Sequence, residues 1–146
     1  ASLPYVSQRG LDRRPIVVVR LWGAALSHLQ LDGGIIWTSI PVDMRRDVGY
    51  QGNGDAGLAS FLVSADEADV SVVFVEQEDG SVSVGMRAVP GFDVAQLALH
   101  FGGGGHALAA GFSMAGPIEG AEQRVLDTLR ADVARQRATQ GNGSRS

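Results

Sequence analysis

The sequence predicts an α+β domain, in which helices pack on a mixed, largely antiparallel sheet. Several stretches repeat apolar residues at helical spacing, and β-branched runs lie between them. The clearest of those runs, "VSVVFVE" and "SVSVGMR", flank "QEDG", where Asp79-Gly80 suits the positive φ angles of a tight hairpin turn. With 146 residues, 45% of them hydrophobic, the chain is sized for one domain with its own core.

The elements follow in order. Residues 1–15 show no clean period and end in Pro15, so they read as a linker remnant, with the domain proper spanning 16–138. Val18, Leu21, Trp22, Ala25, Leu26 and Leu29 form the stripe of an amphipathic helix, closed by Gly33 and Gly34. "GIIWTSI" is a strand stopped by Pro41, and Asp43 suits the cap of a short helix after it. The loop "GYQGNGDAG" precedes a helix from Leu58 to about Ala65.

In the second hairpin strand Val82, Val84 and Met86 face one way, and Ser81, Ser83, Gly85 and Arg87 the other. Asp93 and Gln96 form a capping-box pattern opening a helix to Phe101. After a glycine run, "GFSMAG" reads as a short strand. Pro117 opens a last helix with Glu119 and Glu122 in its first turn and Ala121, Val125, Leu129 and Val133 as its buried stripe. The tail 139–146 is polar enough to be disordered.

Composition narrows the function. A formal charge of −4, with all twelve basic residues arginine, argues against broad binding to duplex nucleic acid, so any phosphate site must be local. The chain has no cysteine, hence no disulfide, thiolate ligand or thiol nucleophile. No apolar run approaches about 18 residues and no secretory pattern opens the chain, so a soluble, cytoplasmic protein is expected, with no membrane partner. Histidine pairs, Asp-x-Asp clusters and a serine nucleophile elbow are all missing, the pattern of a binder without a catalytic or metal site of its own.

The chemistry concentrates in "FGGGGHALAAGF". Each glycine costs roughly 0.5–1 kcal/mol against alanine in ordered backbone, so four in a row need a cause. A linker is a poor account, because the run lies between two apolar segments and has no serine or charge. Gly102 sits where a helix C-cap glycine belongs. The remaining amides suit an anion-binding nest, backed by a short helix starting near His106, with phosphate as its guest. No Lys-Ser or Lys-Thr follows, and the run follows a helix instead of a first strand, which excludes the familiar nucleotide loops. His106 is placed to donate to a phosphate oxygen, or is a surface group; His28 and His100 read as structural or solvated. Arg87, beside Gly85, suits bidentate phosphate binding or pairing with a surface acid.

"FGGGGHALAAGF" preceded by "SVSVGMRA" resembles the DHH-associated C-terminal domain of DHH-family phosphoesterases, in particular the oligoribonuclease, 3′-phosphoadenosine 5′-phosphate (pAp) phosphatase and cyclic-dinucleotide phosphodiesterase branch. The similarity runs from about Val18 to Leu129. It implies a substrate-binding domain whose partner, an N-terminal DHH catalytic domain, carries the manganese ions. The isolated chain would then not be catalytic. The resemblance further implies phosphate contacts from Gly103, Gly104, Gly105 and His106, a nucleotide contact from Arg87, and a less defined role for Asp55. Ligands would be short single-stranded RNA or nucleotide phosphates; a homodimer is left open. The family commonly shows Ser-x-Arg-Ser on the arginine strand, and here Gly85 and Ala88 replace the two serines. Alternatives are a non-catalytic interaction or oligomerisation module of the same fold, or the C-terminal domain of a RecJ-like single-strand exonuclease.

Overall fold

A central sheet carries a separate hydrophobic cluster on each face. The computed structural model describes residues 13–145, with side chains to residue 140. In chain order these form α1 (Ile16–Leu26), β1 (Gln30–Asp32), β2 (Ile35–Ile40), α2 (Val42–Val48), α3 (Leu58–Leu62) and β3 (Val70–Glu76). There follow β4 (Val82–Ala88), α4 (Ala95–His100), β5 (Gly104–His106), β6 (Ala109–Met114) and α5 (Ile118–Arg145). The strand order is β1-β2-β3-β4-β6-β5. Only β2 and β3 pair in parallel, because the crossover between them runs through α2 and α3; the other neighbours are antiparallel. The chain thus adopts the expected α+β class.

Period-two alternation divides the core. Val72 and Phe74 of β3 join Val82, Val84 and Met86 of β4 in a cluster beneath α4 and α5, where Ala121, Val125, Leu129 and Val133 form the stripe read from the sequence. Val73 and Val75 point the other way, against Leu21 and Ala25 of α1 and Leu58 and Leu62 of α3. Phe74 is fully buried, and hiding such a side chain contributes about 1.5–3 kcal/mol. No residue of β4, β5 or β6 belongs to the second cluster. On that face, helices cover the β2–β3 half of the sheet and reach the Arg87 end of β4, leaving the rest of the β4–β6–β5 half open.

Several expectations are corrected. The stripe read as one helix to Leu29 ends at Leu26, and Gln30–Asp32 pairs with Ile35, Ile36 and Trp37 around Gly33 and Gly34. Those glycines have φ +59° and +82°, two positive values in succession that fit a tight hairpin turn better than a helix stop. Asp43 does not cap α2: Pro41 is the N-cap, and the Val42 amide is held by Glu76 Oε1 at 2.9 Å. Helix α3 stops at Leu62.

Asp93 lies before α4, which starts at Ala95. Its Oδ1 accepts from the Ala95 amide at 2.8 Å, while its own amide donates to Gln136 Oε1 at 2.8 Å, the role expected of Gln96. The tail expected to be disordered is helical: α5 continues to Arg145, with Thr139 Oγ1 donating to Arg135 O at 3.1 Å. Of the linker remnant, residues 1–12 lie outside the described residues, as does Ser146, while the Arg14 guanidinium sits 5.0 Å over the Trp22 ring. Among the described residues no helix is long and apolar enough to cross a membrane.

Candidate functional site

The glycine run performs different tasks residue by residue. At the end of α4, Gly102 takes φ +90°; its amide donates to Leu99 O at 3.0 Å and that of Gly103 to Ala98 O at 2.7 Å. This reciprocal pair is the Schellman closure of a helix C-terminus, so Gly102 is the cap the sequence suggests. The next three residues do not form a nest before a helix. Gly104–His106 is an edge strand, β5, antiparallel to β6, and no helix starts near His106.

Close approach to β6 explains two of these glycines. A Cβ on Gly103 would collide with Gly111 O and lie 2.5 Å from Phe112 Cβ. One on Gly105 would lie 2.5 Å from both Ala109 O and Ala110 Cα, and Gly105 holds φ +143°, a region open to glycine alone. Gly104 differs, because a Cβ there would meet nothing within 4 Å and its φ is not positive.

Register assembles a site around Gly104 on the open half of the sheet. Gly85, Gly111 and Gly104 lie side by side across β4, β6 and β5. Ser83 pairs with Ser113 on one side of this glycine row; Arg87, Ala109 and His106 align on the other. Directly opposed residues share a face, so the result is a shallow groove of about 490 Å³, floored by backbone and lined by Ser83, Gly85, Arg87, Gly104, Gly111 and Ser113. A Cβ on Gly85 would also meet nothing within 4 Å.

Arg87 supplies the fixed positive charge. Its Nε donates to Ser60 Oγ at 3.1 Å and Nη1 to Met86 O at 2.8 Å. Unlike Arg46, Arg130, Arg135 and Arg137, which have carboxylate partners, Arg87 makes no ion pair among the described residues. Among the described residues, then, Arg87 is not half of a surface salt bridge. His106 is exposed, on the register of Arg87. Asp55 lies outside the groove lining: Oδ1 accepts from the Gly57 amide and Oδ2 from the Ala59 amide, each at 2.9 Å, capping α3. It sits instead at the start of the helix that carries Ser60.

The two family serines divide likewise. Gly85 opens onto the groove, whereas Ala88 is buried on the opposite face, where a hydroxyl would not reach it. Sequence reasoning missed Gly111 and Ser113; alternation along "AAGFSM" was the available signal. Among the described residues, no group of three or more His, Asp or Glu converges to hold a metal ion. The described residues do not fit manganese, and no step through a metal is assigned to them.

The site lies within a stretch, residues 47–135, that matches the DHHA1 domain family model. The chain belongs to that family, the associated domain of DHH-family phosphoesterases. It is 32% identical over 129 residues to the bifunctional oligoribonuclease and PAP phosphatase NrnA of Thermus thermophilus, covering 86% of this chain and 38% of that protein. The chain thus spans well under half the length of this relative. The fold is shared with an exopolyphosphatase-related protein of Bacteroides fragilis, at TM-score 0.73 and 22% identity over 84% of this chain and 38% of the other. It is also shared with the pGpG-specific phosphodiesterase PggH of Vibrio cholerae, at TM-score 0.53 and 13% identity over 83% of this chain and 38% of the other.

Proposed function

We propose that the chain is the substrate-binding domain of a two-domain, manganese-dependent phosphoesterase, and that its groove holds the phosphate of a short RNA, a pAp-like nucleotide or a cyclic dinucleotide. The observation that carries this reading is the pair Gly85 and Gly104. Neither has a positive φ or a crowded Cβ position, so the fold does not require glycine at either, yet both floor the same groove beside an arginine that has no acid partner among the described residues. A bare floor lets a ligand lie against the sheet. Arg87 meets phosphate oxygens through its planar fork, braced by Ser60, and His106 donates from the neighbouring edge strand.

The chain's own part in the reaction is to fix phosphate and nucleoside so that the catalytic domain acts on an oriented bond, a contribution of position more than of bond-making. Manganese belongs to that other domain. The isolated chain should bind and not hydrolyse.

Calorimetric titration of the full chain with the dinucleotide pApA tests this. Gly104→Val, which places a branched side chain in the groove, should weaken binding about tenfold or more while melting with the wild type; Arg87→Ala should lose a similar factor, the size of one or more charge-assisted hydrogen bonds. Wild-type chain that binds no nucleotide at millimolar concentration, or a Gly104→Val variant that binds normally, rejects the proposal and favours an interaction module of the same fold.

A further inference from the structure

We propose that Ser83 and Ser113 form the end of the groove that holds the nucleobase, an inference that rests on the nucleotide-binding reading above. The two residues are Cα partners across β4 and β6 and both line the groove. Among the described residues neither hydroxyl has a hydrogen-bond partner. Ser27, Ser64 and Ser71, by contrast, donate to backbone carbonyls and Ser81 to Asp79. The groove therefore has a second polar end with unused donors and acceptors, facing away from Arg87 along the strand.

The spacing fits a nucleotide. Ser83 and Arg87 are four residues apart on β4, which at about 3.3 Å per residue separates their Cα atoms by about 13 Å. The glycine row Gly85–Gly111–Gly104 lies midway. With phosphate at the Arg87 and His106 end, the sugar crosses the glycine floor and the base edge reaches the serines. A hydroxyl donates one hydrogen bond, accepts two and rotates to suit, so a pair of them serves any base edge without selecting one. The groove lining has no guanidinium or amide fork at that end to prefer guanine or adenine. The geometry thus assigns base recognition without base choice.

The test uses the full chain and its Ser83→Ala/Ser113→Ala variant, titrated with the four ribonucleoside 5′-monophosphates and with ribose 5-phosphate, which has the phosphate end and no base. Wild type should bind the four nucleotides within about threefold of one another, and ribose 5-phosphate about tenfold more weakly, the scale of one or two neutral hydrogen bonds. The double alanine variant should bind nucleotides only as well as ribose 5-phosphate, whose own affinity is unchanged. Ser83→Thr/Ser113→Thr, which keeps both hydroxyls, should restore the difference. The inference is overturned if the alanine variant binds nucleotides as wild type does, or if it loses ribose 5-phosphate to the same degree, the mark of a structural effect. Nucleotide binding that is lost in Gly104→Val yet intact in the alanine variant removes this inference and keeps the groove; no binding to wild type removes both.

Discussion

Alanine substitutions along the glycine run should separate folding from binding within three consecutive residues. At Gly103 the added methyl meets Gly111 O and the Cα and Cβ of Phe112, with backbone among the obstacles. Forcing it in costs about 1–3 kcal/mol, the range for overpacking a close-fitted site. Gly104→Ala meets nothing within 4 Å at a φ that alanine tolerates, and restricting the unfolded chain stabilises by about 0.4–1 kcal/mol. Gly105→Ala combines the clash with a φ of +143°, which adds about 1–3 kcal/mol of backbone strain. For a domain of this size each kcal/mol moves Tm by about 3–4 °C. Gly103→Ala should therefore melt roughly 3–12 °C lower, Gly105→Ala lower still, and Gly104→Ala about 1–4 °C higher. Differential scanning calorimetry at one protein concentration and pH reads all three. Equal shifts at 103 and 104, or a larger loss at 104, would refute the division of the run into packing and groove positions.

Other outcomes follow from individual contacts. Asp55→Ala frees the amides of Gly57 and Ala59 at the start of α3 and should cost about 1 kcal/mol in denaturant unfolding. Arg87→Lys keeps the charge and loses the planar fork, so pApA affinity should fall several-fold by titration calorimetry even though the charge balance is unchanged. Burial raises the Glu122 carboxyl above its ordinary value of 4.5, Glu119 adds to the rise, and the nearby Ser39 hydroxyl opposes it. A raised folded-state value means that the group's stabilisation is complete below about pH 4.5 and is lost as pH climbs through the raised value. Glu122→Gln should accordingly melt higher than wild type at pH 7, with the gap closing below pH 4.5 in a series of thermal melts.

What the sequence disclosed depended on side chains that report their own environment. The Asp79-Gly80 hairpin, the α5 stripe and the β4 alternation were legible because apolar and polar residues mark their faces. Strand β5 was not, since Gly104 and Gly105 have no side chains to alternate, and its existence is decided by the backbone of β6. Leu29 misled for the opposite reason: it extends the helical stripe of α1, yet it lies exposed just before β1. Within the site, Arg87 and Gly85 could be read from one strand. Their neighbours Gly111 and Ser113 become partners only through the β4–β6 register, a long-range choice that local pattern does not encode.

The half-covered sheet gives the domain two surfaces under different constraints. Residues that hold the molecule together gather under α4 and α5 or beneath α1 and α3, while those facing the groove at 83, 85, 104 and 113 belong to neither cluster. On the proposed nucleotide-binding reading, substitutions at those four positions change the ligand with little effect on folding. The scaffold therefore has latitude to drift toward new substrates in small steps, without first acquiring a surplus of stability.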